Sequence, residues 1–93
     1  MYEIAYAQSA RKALKRLWRS GSFSQEQFQK LLSLFMTGEV LPKEFKDHQL
    51  QGDLSRFREC HIGFNLLVMY ERIENDHTVV IENIGTHQEL FGE

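Results

Sequence analysis

The second half of the sequence contains three strand-like runs separated only by short turns. The runs cover about residues 54–61, 65–73 and 77–84. Gly63 marks the first turn and residues 74–76 mark the second. Because a parallel connection needs a crossover of a dozen or more residues, these runs predict an antiparallel meander.

The first 38 residues predict one short strand and two helices. Apolar and polar residues alternate over residues 2–6, which favours a strand. The first helix should end at Gly21; the second should begin at Ser24, with Gln27 completing a capping box, and end at Gly38. The expected buried stripes are Ala10, Ala13, Leu14, Leu17 and Trp18 in the first helix, and Phe28, Leu31, Leu32 and Phe35 in the second.

Together these elements predict a single α+β domain over residues 1–93. Two antiparallel N-terminal helices should pack on one face of a four-stranded antiparallel sheet, in the order β-α-α-β-β-β. Residues 39–53 are expected to form a long loop, and residues 86–91 a helical turn or a docked tail. The spacing does not say where the first strand docks.

Composition excludes several classes of protein. The single cysteine, Cys60, excludes an internal disulfide and a Cys-rich zinc site, and we expect it to face the core. No apolar run is long enough for a membrane span, and residues 1–20 lack the apolar segment of a signal peptide. We therefore expect a cytoplasmic protein without a membrane partner.

Topology brings two of the four histidines to one end of the predicted sheet. His61 ends one strand, Asn65 begins the next, and the last strand returns to the same end before His87. Gly85 is expected to let the backbone bend sharply there. His48 lies in the preceding loop, where topology does not place it.

Three interpretations of these histidines remain open. In the first, each is an independent polar residue, as we expect for His77, which opens the last strand at the opposite end. A zinc site is a second interpretation, although the sequence has no H-E-x-x-H motif or close His-x-His spacing. The third is RNA cleavage without a metal or cofactor.

RNA cleavage requires a base for the 2′-hydroxyl, an acid for the leaving 5′-oxygen, and positive charge near the phosphorane. Histidines suit the first two roles at neutral pH. Arg58, Lys46 or protonated His61 would suit the third. Arg58 and His61 are three residues apart, so on a regular strand they face opposite sides.

The net charge of −2 argues mildly against nucleic-acid binding, but the first helix is basic. Its outward residues suit RNA phosphates or an acidic protein segment, and a simple solvated surface is an equally good interpretation. These residues are Arg11, Lys12, Lys15, Arg16 and Arg19.

Three ordered motifs resemble the YafQ branch of the RelE/ParE toxin superfamily, from bacterial toxin–antitoxin pairs. They are Lys46-Asp47-His48 with Gly52, Arg58-Glu59-Cys60-His61, and Gly85-Thr86-His87 with Leu90-Phe91-Gly92. The resemblance covers roughly residues 40–93.

The resemblance implies an endoribonuclease that cuts messenger RNA in the ribosomal decoding site and is silenced by a small DNA-binding antitoxin. It implies catalytic roles for His48, His61 and His87, and a substrate contact for Phe91. We expect His48 to be the general base, His87 the general acid and His61 the phosphate-stabilising group. Lys46, Arg58, Asn65 and Asn83 are the other candidate substrate-binding residues.

Two departures from the family pattern affect the rate of RNA cleavage that we expect. Asn65 stands where the family commonly has aspartate, and Asn83 stands where it often has arginine. Activity is therefore expected to be attenuated. Two alternatives are a ParE-like toxin that poisons gyrase without catalysis, and a decayed toxin that retains only antitoxin binding.

Overall fold

The computed structural model describes residues 1–21, 23–63 and 65–92 of the chain. Two helices follow one short strand, and four further strands and a last helix complete the domain. The strands are β1 (Glu3–Tyr6), β2 (His48–Gln49), β3 (Arg58–Ile62), β4 (Leu66–Ile73) and β5 (Thr78–Gly85), and the helices are α1 (Gln8–Ser20), α2 (Gln25–Thr37) and α3 (His87–Phe91).

Local sequence signals explain where the two long helices begin and end. The Ser24 hydroxyl accepts a hydrogen bond from the backbone N–H of Gln27, which caps α2. The expected capping box is only half formed, because Oε1 of Gln27 accepts instead from the backbone N–H of Gly63. Gly21 and Gly38 end the helices in the left-handed conformation, which glycine adopts without steric cost. The Phe23 ring lies 5.1 Å from Phe28, so the apolar contact across the start of α2 also forms.

The sheet has five strands in the order β1-β5-β4-β3-β2. The α+β class and the antiparallel β3-β4-β5 meander are confirmed, but the predicted four-stranded, wholly antiparallel sheet is wrong in two details. Strand β1 pairs parallel with β5, and β2 adds an edge strand beside β3. Residues 39–53, expected to be a loop, contain β2 and the 3₁₀ helix Lys43–Phe45, and a second 3₁₀ helix, Gly52–Leu54, overlaps their end.

The helices cover one face of the sheet and leave the other open. The core between the layers joins Leu31 and Phe35 of α2 to Cys60, Val68 and Ile81 of the strands. Cys60 is fully buried as expected, and burial raises the pKa of its thiol, so it remains protonated at neutral pH. Because side chains alternate along a strand, the neighbours of these core residues point to the opposite, open face.

Trp18 does not belong to the core, contrary to the expectation from helical spacing. It is 58% exposed, and its ring lies 6.0 Å from Phe23 at the edge of the α1–α2 contact. Ala10, Ala13 and Leu17 form the stripe that α1 buries, Leu14 packs partly buried at its edge, and Trp18 lies beyond it. In the described part of the chain, no helix is both long and apolar enough to span a bilayer.

Candidate active site

Two histidines and one carboxylate meet on the open face of the sheet. Strand β2 places His48 opposite Glu59 of β3, and His48 Nε2 lies 3.3 Å from Glu59 Oε1. The same carboxylate oxygen lies 3.9 Å from His61 Nε2, and the two imidazole centroids are 6.4 Å apart. One carboxylate therefore faces two rings.

Strand alternation explains why Glu59 belongs to this group. Glu59 and His61 are two residues apart on β3, so both side chains point to the same face. The Glu59 side chain is only 7% exposed, whereas those of His61 and His48 are 30% and 50% exposed. The carboxylate is thus held inside the structure while both rings remain reachable by a ligand.

The backbone of the loop before β2 fixes the orientation of His48. Its Nδ1 lies 2.9 Å from the carbonyl oxygen of Lys46. A carbonyl only accepts, so Nδ1 carries a proton and donates this bond, which leaves Nε2 as the basic nitrogen of the neutral ring. Lys46 itself adopts a left-handed backbone (φ 50°), which is uncommon outside glycine.

Burial sets the charge of His61. Desolvation lowers its pKa, and the positive charges of Lys46 and of protonated His48 act in the same direction, against the opposing effect of Glu59. At pH 7 the His61 ring is therefore neutral. It is suited to donate a hydrogen bond to a phosphate oxygen rather than to offer a full positive charge.

The strand pairing places His61 at the same end of the sheet as the segment that leads into His87. His61 pairs with Leu67, and Leu67 pairs with Gly85, so the three lie in one row. Two strand spacings, roughly 9–10 Å, separate the backbones of His61 and Gly85. His87 follows as the first residue of α3, and its exposed ring lies 5.1 Å from Phe91 one turn later.

Gly85 is not where the backbone bends. It is absent from the described glycines with positive φ, and it ends β5 as a buried strand residue. A Cβ at this position would lie 2.8 Å from Oε1 of Glu89 and 3.2 Å from the Cβ of Glu89. Close packing of α3 on the end of β5 is therefore the reason for glycine here.

Two asparagines flank this face. Asn83 pairs with Met69, which pairs with Glu59, so Asn83 and Glu59 lie in one row across the sheet. The side-chain oxygen of Asn83 accepts a hydrogen bond from the backbone N–H of Ile84 at 2.9 Å. Asn65 is exposed in the turn before β4 and lines a cavity of about 290 Å³ shared with α1 and α3.

Arg58 lies on the other face, as its spacing from His61 suggested. Its Nη2 is 2.7 Å from Oδ2 of Asp47, and its Nη1 donates to Gln49 at 3.1 Å. The buried Tyr70 hydroxyl also donates to Asp47. The bond to Asp47 is the main reason that the pKa of Arg58 is raised. These contacts connect Arg58 and Tyr70 to the loop that carries His48, on the face opposite to that of His61.

The basic face of α1 is exposed along its length. Its cations line shallow grooves of about 540 and 470 Å³, which contain Arg11, Lys12, Lys15, Arg16 and Arg19. Among the described cations of this face, Arg16 forms an ion pair, in which its Nη2 lies 3.3 Å from Oε2 of Glu89.

His77 is remote from this site. It is exposed, precedes β5 at the opposite end of the sheet, and its ring lies 5.2 Å from that of Tyr2. It therefore provides a natural control for the other three histidines.

Comparison with known proteins gives this geometry a context. A sequence model described as "Bacterial toxin of type II toxin-antitoxin system, YafQ" matches residues 2–92. The chain belongs to the YafQ family. The mRNA interferase toxin YafQ of Escherichia coli K12 is 36% identical over 52 residues, a match that covers 56% of this chain and 54% of that protein. The chain thus spans about half the length of the curated YafQ relatives that it matches.

Solved structures of similar proteins share this fold. A metal-bound toxin from Helicobacter pylori superposes with a TM-score of 0.89 at 34% identity, covering 98% of this chain and 100% of that one. YafQ in the Escherichia coli DinJ–YafQ complex gives a TM-score of 0.84 at 26% identity, covering 99% and 100%. Within residues 1–21, 23–63 and 65–92 of this YafQ-family chain, no group of three or more His, Cys, Asp or Glu side chains is arranged to hold a metal ion.

Proposed function

We propose that this YafQ-family chain is a toxin of a type II toxin–antitoxin system that cleaves messenger RNA on the ribosome. The contact of His48 and His61 with the buried carboxylate of Glu59 is the observation that carries the proposal. RNA supplies its own nucleophile, the 2′-hydroxyl, so positioned acid and base groups are sufficient for strand cleavage.

His48 suits the general base. Its Nε2 takes the 2′-proton while the resulting oxygen attacks the adjacent phosphorus in line, and the Lys46 carbonyl holds the other ring nitrogen. Because Oε1 of Glu59 lies 3.3 Å from the same Nε2, the carboxylate stabilises the imidazolium through a charge-assisted contact with the nitrogen that has taken up the proton.

His61 and His87 complete the reaction in this proposal. The neutral His61 ring donates a hydrogen bond to a non-bridging phosphate oxygen, and Lys46 supplies positive charge. His87 protonates the 5′-oxygen as the P–O5′ bond breaks, which leaves a 2′,3′-cyclic phosphate and a free 5′-hydroxyl. Phe91 holds the His87 ring from one helical turn away.

The family relatives also suggest a partner. YafQ of Escherichia coli has been solved with DinJ, and we propose that this chain likewise binds a small antitoxin. The exposed cations of α1 suit an acidic antitoxin segment or ribosomal RNA phosphates, because either would neutralise them.

Two histidine variants, one at the site and one remote from it, test the proposal. The purified chain is incubated with a defined transcript, with and without 70S ribosomes, and the product ends are analysed. We expect His87→Ala to lower the cleavage rate by about 10² or more, whereas His77→Ala keeps the wild-type rate because its ring lies at the other end of the sheet. Cyclic phosphate ends are expected in the wild-type product.

Two results would contradict the proposal. One is intact transcripts together with DNA damage in cells that express the chain, which indicates a gyrase poison. The other is a His87→Ala variant that cleaves RNA as fast as the wild type.

A further inference from the structure

Glu89 joins three parts of the structure at the catalytic end of the sheet. Its Oε1 accepts from the backbone N–H of Thr86 at 2.8 Å, and its own N–H donates to the Thr86 hydroxyl at 3.2 Å. Its other carboxylate oxygen lies 3.3 Å from Arg16 Nη2 on α1. The space beside Gly85 is filled by the same side chain. One carboxylate thus contacts the end of β5, the start of α3 and the middle of α1.

Helix α3 depends on contacts of this kind for its position. It has only five residues, and none of them is buried. A helix this short is not stable on its own, so its orientation is set by what ties it to the rest of the domain. His87 is its first residue, so any rotation of α3 changes the direction in which the His87 ring points.

We propose that Arg16 and Glu89 are positioning residues, whose ion pair holds α3 against α1 so that His87 stays at the catalytic end of the sheet. The effect on catalysis that we expect from this ion pair rests on the proposed RNA cleavage. It also gives Arg16 a role different from that of its neighbours on the basic face, which have no recorded ion pair among the described residues.

A purely RNA-binding role for Arg16 predicts the opposite result for Glu89. If Arg16 only attracts phosphate, removing the nearby negative charge of Glu89 strengthens RNA binding and leaves the chemical step unchanged. If the pair positions α3, removing that charge slows the chemical step. The separation of kcat from KM therefore distinguishes the two roles.

The central variant is Glu89→Gln. The amide oxygen of glutamine still accepts from Thr86, so the capping box is retained while the ion pair is lost. We expect kcat to fall about two- to fivefold, the range that an exposed ion pair supports, without a rise in KM. Arg16→Gln should lower kcat by a similar factor and also raise KM, whereas Arg16→Lys should restore most of kcat.

A double-mutant cycle tests the pairing itself. Arg16→Gln combined with Glu89→Gln should lower kcat no further than either single change, because each already breaks the same contact. Glu44→Gln is the matched control, since it breaks another 3.3 Å ion pair, Lys30–Glu44, whose side chains are both 53% exposed. The Glu44→Gln variant should keep the wild-type kcat.

A structural measurement separates this proposal from the proposed function. Amide hydrogen exchange over residues 87–91 should be faster in Glu89→Gln than in the wild type and unchanged in Glu44→Gln. That result holds even in a chain that cleaves no RNA. Equal exchange in the wild type and Glu89→Gln, or additive effects on kcat in the cycle, would overturn the positioning role.

Discussion

Nε2 of His48 and Oε1 of Glu59 lie 3.3 Å apart across the β2–β3 pair, with the ring half exposed and the carboxylate almost fully buried. A fixed anion beneath a reachable ring is an arrangement that stabilises the ring when it accepts a proton. The short strand β2 makes this contact possible, because its pairing with β3 sets His48 opposite Glu59.

Removing the charge of Glu59 should slow cleavage while the fold is retained. Glu59→Gln keeps the size of the side chain but cannot stabilise the imidazolium of His48, so we expect the rate to fall by about tenfold or more. Initial rates on a defined transcript measure the effect, and thermal unfolding checks the fold. Glu71→Gln, which removes a half-buried carboxylate 4.0 Å from Arg56, is the control. An unchanged rate in Glu59→Gln would count against the role of Glu59.

The lowered pKa of His61 makes stability depend on pH. The unfolded chain binds a proton at His61 near pH 6.5, whereas the folded chain binds it only at lower pH. Between the folded pKa and pH 6.5, the unfolded state therefore binds more protons than the folded state. The stability associated with the neutral His61 ring is fully present above pH 6.5 and is lost as the pH falls through the folded pKa. Denaturant unfolding at pH 7.5 and pH 5 should show a smaller loss of stability in His61→Gln than in the wild type. Equal losses would contradict the desolvation of His61.

The hydroxyl of Tyr70 should stabilise the loop that carries His48. Tyr70→Phe removes the hydrogen bond to the Asp47 carboxylate, and we expect the free energy of unfolding to fall by about 1.5–3 kcal/mol. Tyr6→Phe is the matched control, because within the described residues the Tyr6 hydroxyl has no recorded hydrogen bond, and its loss should change stability by less than about 0.5 kcal/mol. Similar effects in the two variants would argue against the Asp47 network.

Adding a cation at position 83 should raise the cleavage rate. Asn83 shares the row of Glu59 on the open face, so an arginine there brings positive charge toward the developing phosphorane. We expect Asn83→Arg to increase the rate by up to about tenfold, measured on the same transcript. Asn75→Arg adds the same charge in the exposed turn at the opposite end of the sheet and should leave the rate as it is. A slower Asn83→Arg variant would show that Asn83 itself contributes.

Much of the fold follows from local signals in the sequence. Ser24, Gly21 and Gly38 set the helix ends through capping, and the short turns force β3, β4 and β5 into a meander. The partner of β1 could not be predicted, because its pairing with β5 joins residues far apart in sequence. Strand β2 has only two residues, too few for any alternation to show.

The site was less accessible to sequence reasoning than the fold. Register explains why His61 and Gly85 share a row, but the position of His48 depends on β2 and on the left-handed backbone of Lys46. Glu59 was missed, although its spacing of two residues from His61 on a strand was a sufficient signal. Trp18 was predicted to be in the core but is exposed, because helical spacing shows which face of a helix is apolar and not where the buried part of that face ends.

The parallel pairing of β1 with β5 has a consequence for synthesis. Glu3 to Tyr6 are translated well before their partners, Thr78 to Ile81. Until β5 is made, β1 lacks the strand it pairs with, and α3, which follows β5, has not been made either. A nascent copy of the chain therefore completes the β1–β5 edge of its sheet only after β5 has been made.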